Sequence, residues 1–87
     1  MEAEQIKRTL RDYVVELSKI SANDPDFNDE VHLFDYGYVD SFGALELFRF
    51  VHKRFGIEVS ESDLESYPLN SIDKIAWFVS SRQRGEL

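Results

Sequence analysis

Apolar residues return with a helical period in three separate stretches of this chain, and that periodicity leaves little choice of fold. Over about residues 3 to 20, Ile6, Leu10, Val14 and Leu17 make one stripe, with Lys7, Arg8, Arg11 and Glu16 left for the solvent side. The run SANDPDFNDE breaks the pattern with Pro25 and a series of Asn and Asp, so a long acidic loop follows the first helix. Leu33 and Phe34 are expected to pin that loop to the core. A second helix is predicted from about Ser41 to Phe55, stopped at Gly56, a residue suited to the left-handed C-terminal position. Ile57 and Val59 alternate inward. Ser60 with Asp63 has the spacing of an N-cap for a short third helix, closed by Pro68. Asn70 or Ser71 can cap a last helix in which Ile72, Ile75, Ala76 and Val79 repeat the pattern. The tail, about residues 82 to 87, has no period and is expected to fray. The fold predicted is all-α: a four-helix bundle with a long first loop and a short third helix.

Eighty-seven residues make one small domain, 1–87, with a single core. The chain has no cysteine, which excludes disulfide staples, thiolate metal sites and a cysteine nucleophile, and fits a reducing cytoplasm. No signal peptide and no membrane span are expected. A formal charge of −7 argues against nucleic acid and suits docking on basic partner proteins. A monomer is expected, since no long apolar seam is left over.

The second helix carries an anomaly. Ala44, Leu47, Phe48, Val51 and Phe55 fall on one arc, which must be the buried face, whereas Phe42 and Leu45 lie opposite with Glu46, Arg49 and Lys53. Two exposed apolar residues within a turn of Ser41 suggest a contact surface; the plainer possibility folds Phe42 under the loop near Tyr36 or Tyr38. Ser41 is itself open to two readings. A serine at a helix start is ordinarily an N-cap, worth about 1 kcal/mol. Gly43, which costs about 0.5–1 kcal/mol inside a first turn, invites a reason such as close approach of a partner.

The segment LFDYGYVDSFGALEL, followed by FGIEV and SIDKIAWFV, resembles the acyl carrier proteins and the similar peptidyl carrier domains. The resemblance runs from about Leu33 to Val79 and more loosely through the first helix. It implies that Ser41 accepts phosphopantetheine from coenzyme A through a separate transferase. Acyl or aminoacyl cargo would then be held as a thioester, so a chain without cysteine borrows its thiol. It further implies a non-catalytic carrier whose partners are the phosphopantetheinyl transferase, an acyl- or aminoacyl-loading ligase and downstream synthase or transferase enzymes. Asp40, Phe42, Leu45, Glu46 and Arg49 are the expected recognition residues, with Asp40 directed outward to basic groups or metal on the transferase.

Two departures narrow the pathway. Phe42 stands where the family usually has leucine. The second helix has Glu46 as its only acid against Arg49, Lys53 and Arg54, whereas fatty-acid-synthesis carriers typically have an acidic one. A stand-alone carrier for a specialised pathway, with an amino acid or unusual acyl group, is therefore expected. Phe34, Phe48, Phe50 and Phe55 should fill a small core and favour short or polar cargo.

Other classes fit less well. Asp24, Asp26 and Asn28 occupy the first, third and fifth places of a calcium-loop pattern, but Asp29 stands where the turn needs glycine and Asp35 where a bidentate Glu belongs. A Ser41, His32, Asp35 triad lacks a cleft to exclude water in so small a bundle. The main alternative is a helical adaptor that grips its partner with Phe42 and Leu45, with Ser41 only a helix cap.

Overall fold

Three of the four helices begin where a side chain accepts from an otherwise unpaired first-turn amide. In the computed structural model, which describes residues 2–87, α1 runs Ala3–Ser18, α2 Ser41–Phe55, α3 Glu61–Ser66 and α4 Ile72–Gln83. Ser60 accepts from the Asp63 amide at 3.1 Å while the Asp63 carboxylate accepts from the Ser60 amide at 3.0 Å, a closed capping box. Of the two candidate caps of the last helix, Ser71 has the role, accepting from the Lys74 amide at 3.2 Å. Gly56 ends α2 at φ 72°, where a side chain would be strained.

The core is one cluster. Ile6, Leu10 and Val14 of α1 meet Leu47 and Val51 of α2 and Ile72, Ile75, Phe78 and Val79 of α4, all buried. Helix α1 packs most extensively on α4 and less on α2. The bundle with a long first loop and short third helix is thus as the sequence predicts.

Four local expectations need correction. Helix α1 spans the whole apolar stripe to Leu17 but stops at Ser18, short of the expected end near residue 20, because Lys19 turns left-handed at φ 54°. Helix α4 runs on to Gln83, with Ser80 and Ser81 buried and Arg82 bonded to Asp63 at 2.9 Å. The tail therefore leaves the bundle later than the loss of apolar period implied. Lys7 and Arg11 do not simply face solvent: Lys7 pairs with Asp73 at 3.2 Å, and Arg11 forks both oxygens of Asp29 at 2.8 and 2.6 Å. Phe78, outside the predicted stripe, is the largest fully buried side chain. Tyr67 covers that second flank of α4, with its ring 5.6 Å from the Phe78 ring, so α4 is buried on more than one side.

The long loop is held at several points. Leu33 is buried, as expected, and its amide donates to the Asn70 carbonyl at 2.8 Å. The Asp73 amide donates to the Asp29 carbonyl at 2.9 Å, beside the Arg11 fork. The Tyr38 hydroxyl donates to Asp24 at 3.0 Å, and burial followed by that bond pushes its pKa up. The Val39 amide returns to the Leu33 carbonyl at 3.0 Å, which fixes where α2 can begin.

Candidate functional site at the start of the second helix

Asp40, not Ser41, caps α2. Its backbone is extended and its carboxylate accepts from the Gly43 amide at 2.7 Å, a short charge-assisted bond. Ser41 is the first residue with helical geometry, and a side chain there leans back toward the N-terminus rather than forward over the free amides. Of the two readings of Ser41, that of a helix cap is therefore not supported, since Asp40 has that role. Its side chain is exposed, and its hydroxyl has no hydrogen-bond partner among the described residues. Nor is Asp40 turned wholly outward, because one carboxylate oxygen is drawn onto the helix.

Gly43 is explained from within the fold. A Cβ there would lie 2.9 Å from Val39 Cγ1 and 3.2 Å from Asp40 Oδ1. Val39 is buried and β-branched, so it cannot easily move aside. The glycine lets Val39 close over the first turn of α2; no partner is needed to account for it.

Phe42 is 81% exposed and Leu45 64% exposed, so Phe42 does not fold under the loop. Glu46 and Arg49 share this exposed side, paired at 3.4 Å, a distance and exposure at which an ion pair contributes little. Asp40, Ser41, Phe42, Leu45, Glu46 and Arg49 are thus brought together on the open side of α2. A cleft of about 310 Å³ borders them, between Leu17 at the end of α1 and Val39, Phe42 and Gly43.

Tyr13 was not legible as a neighbour of this helix. Its ring stacks on Phe50 at 4.0 Å and its hydroxyl donates to the Glu46 carbonyl at 3.2 Å. Burial and then the nearby Glu46 raise the pKa of the hydroxyl. The sole signal for it was an aromatic on the flank of the first apolar stripe. Phe34, Phe48, Phe50 and Phe55 pack at the margin of the core while Phe78 fills its middle, a correction to the expected aromatic core.

The rival sites are not assembled. Asp24 accepts from the Asp26 amide, Asn28 accepts from the amides of Glu30 and Val31, and Asp29 is held by Arg11, so the loop uses these groups for its own shape. Among the described residues, no three His, Cys, Asp or Glu side chains gather as metal ligands. His32 Nδ1 accepts from the Asp35 amide at 3.0 Å, a bond local to the loop rather than to Ser41.

A bundle of four helices, with no strand among the described residues, has the architecture of the acyl-carrier-like proteins. The family described as phosphopantetheine attachment site matches residues 8–76, and the chain belongs to that family. It is a phosphopantetheine-carrying carrier protein, with the prosthetic group covalently attached. Carrier domains of this family are generally non-catalytic and are modified by phosphopantetheinyl transferases. No curated protein matches the chain. Among the described residues, no helix is long and apolar enough to cross a membrane.

Proposed function

We propose that Ser41 holds the phosphopantetheine, and that this protein is one carrier domain over residues 1–87, with short or polar acyl or aminoacyl cargo. The cargo travels as thioesters within a specialised, cytoplasmic biosynthetic pathway. The observation that carries the reading is the division of roles at the start of α2, where Asp40 does the capping and leaves the Ser41 hydroxyl free. Other serines of the matched span are otherwise placed. Ser60 and Ser71 cap α3 and α4, Ser21 accepts from the Asn23 amide, and Ser18 is half-buried at the end of α1. Ser62 and Ser66 belong to the six-residue α3.

The first turn suits a phosphodiester. The Ser41 and Phe42 amides precede the first helical hydrogen bonds, and the positive end of the helix dipole adds to them. The Asp40 carboxylate opposes a neighbouring phosphate, an effect reduced by its bond to the Gly43 amide. The group supplies a thiol to a chain that has none.

Cargo size follows from the interior. Phe78, Leu47, Ile75 and Val79 fill the middle of the bundle, and the clefts of about 630, 570 and 310 Å³ lie outside these buried side chains, lined by loop residues and by the ends and outer faces of helices. A long acyl chain would have to displace close-packed side chains to be enclosed. Phe42 and Leu45, with Asp40, Glu46 and Arg49 around them, are the surface for the transferase, the loading ligase and the downstream synthase or transferase.

The test is mass spectrometry after incubation with coenzyme A, magnesium and a broad-specificity transferase. The expected result is one added phosphopantetheine on the tryptic peptide from Ile20 to Arg49, whose only serines are Ser21 and Ser41, with fragment ions assigning it to Ser41. Attachment at another serine would overturn the assignment. No attachment to a folded, unmodified sample would leave the Phe42 and Leu45 pair as an adaptor's grip.

A further inference from the structure

The exposed face of α2 does not end at Arg49. Steps of three and four residues carry one stripe along the helix through Phe42, Leu45, Arg49, His52 and Lys53, all exposed. Its first half is apolar and its second half basic. Arg49 is 73% exposed and pairs with Glu46 at 3.4 Å, while Lys53 has no ion-pair partner among the described residues. The helix dipole accounts for a cation in the last turn of α2. It does not account for Arg49 in mid-helix, or for the alignment of these cations with Phe42 and Leu45.

Apart from Glu46, which sits beside Arg49, the acids that make the chain −7 overall lie outside α2. Asp24 and Asp29 are consumed by Tyr38 and Arg11, and Asp26, Glu30 and Asp35 are exposed on the loop. At 1.5 Å per residue, Arg49 lies about 13 Å along the helix from Asp40, and Lys53 about 20 Å. Both separations exceed the screening length of about 8 Å at physiological salt, and Glu46 offsets only one of Arg49, Lys53 and Arg54, so the second half of α2 is positive on balance despite the net charge.

We propose that the partner docked on α2 presents an acidic surface to Arg49 and Lys53, together with an apolar pocket for Phe42 and Leu45. This rests on the reading of Ser41 as the attachment residue and names the chemistry of the partner that reading requires. The arm leaves from Ser41 at one end of the stripe. The partner's carboxylates accordingly stand roughly 12–18 Å from the mouth of the tunnel or site that receives the arm, with the apolar pocket between. Charge placed this way fixes which end of the helix faces the mouth, a matter of orientation more than of affinity. The exposed acids of the loop make the opposite orientation repulsive, which adds to selectivity.

The test uses the full-length protein, isotope-labelled for amide NMR, and two synthetic amphipathic peptides of the same length. One is built from Leu and Glu, the other from Leu and Lys. The Glu peptide is expected to shift the amides of Phe42, Leu45, Arg49 and Lys53, and to lose at least tenfold in affinity for an R49E/K53E variant that melts like the parent. Raising the salt to about 1 M, where charges are screened within about 3 Å, should weaken it similarly. The Lys peptide is expected to act on the loop, around Asp26, Glu30 and Asp35. A Lys peptide that perturbs the α2 stripe more than the Glu peptide, or a Glu-peptide affinity unchanged by R49E/K53E, would overturn the proposal. The same samples are treated with transferase and weighed. Absence of the phosphopantetheine mass defeats the assignment of Ser41 without touching the sign of the stripe, so the two failures are told apart.

Discussion

Helices α4 and α2 are both rich in apolar residues and use them in opposite ways. In α4, Ile72, Ile75, Ala76, Phe78 and Val79 are all buried, with only Trp77 of its apolar residues exposed, and the helix is covered on one flank by α1 and on another by Tyr67. In α2, Leu47 and Val51 reach the core while Phe42 and Leu45 stand in solvent beside Ser41. The core residues of α4 hold the bundle together, and the free apolar residues of α2 do almost nothing for it. A carrier needs both. It needs a rigid body from which an arm can swing, and a face that several partners can read in turn.

The comparison breaks most visibly by truncating one aromatic on each side. Phe78→Ala should destabilise by about 3–5 kcal/mol, a large part of what so small a domain has, and leave it partly unfolded at 37 °C. Phe42→Ala should change stability by less than about 0.5 kcal/mol while slowing transfer to or from a partner enzyme. Chemical denaturation of the two variants checks both values. Equal destabilisation would mean that Phe42 is part of the core after all.

A smaller effect is expected where the two regions meet. In an ordinary helix Gly→Ala gains up to about 1 kcal/mol. At Gly43 the added methyl would lie 2.9 Å from the Val39 side chain, and overpacking of this kind typically costs about 1–3 kcal/mol. Gly43→Ala should therefore destabilise by about 1 kcal/mol net in a denaturant titration. A gain in stability would show that Val39 yields freely.

Helix α3 offers a pH-dependent version of the contrast. The Ser60 amide foremost, and then Arg82, lower the pKa of Asp63. A carboxylate depressed in the folded state contributes in full above its unfolded value, near pH 4, and loses that contribution as pH falls through the folded one. Melting temperatures of the parent and Asp63→Asn should differ at neutral pH and converge below about pH 4. A difference that is flat across this range would mean that the Asp63 charge is not what ties α3 to α4.

Local features of the sequence were legible and long-range ones were not. The bounds of α2, its stop at Gly56 and the Ser60–Asp63 box follow from residues within one turn of each other, so periodicity and capping chemistry sufficed. Lys19 ended α1 from a left-handed conformation unusual for lysine, which no pattern announces. The Arg11–Asp29 fork and the Arg82–Asp63 bond join residues far apart in sequence, and nothing local marks them. At the site, the family motif pointed to Ser41, and the apolar arc of α2 left Phe42 and Leu45 outside. The exchange of the capping role from Ser41 to Asp40 was hidden because both residue types cap helices well, and backbone geometry alone decides between neighbours.

That exchange supports the central claim, that Asp40 holds the helix so that Ser41 is free for chemistry. It is tested most directly by melting and mass spectrometry on Asp40→Ala and Ser41→Ala in parallel, each with and without transferase and coenzyme A. The account predicts a loss of about 1 kcal/mol for Asp40→Ala. Ser41→Ala should melt within about 0.5 kcal/mol of the parent and gain no phosphopantetheine. A Ser41→Ala protein that loses as much stability as Asp40→Ala, or that still takes up the group, would contradict it.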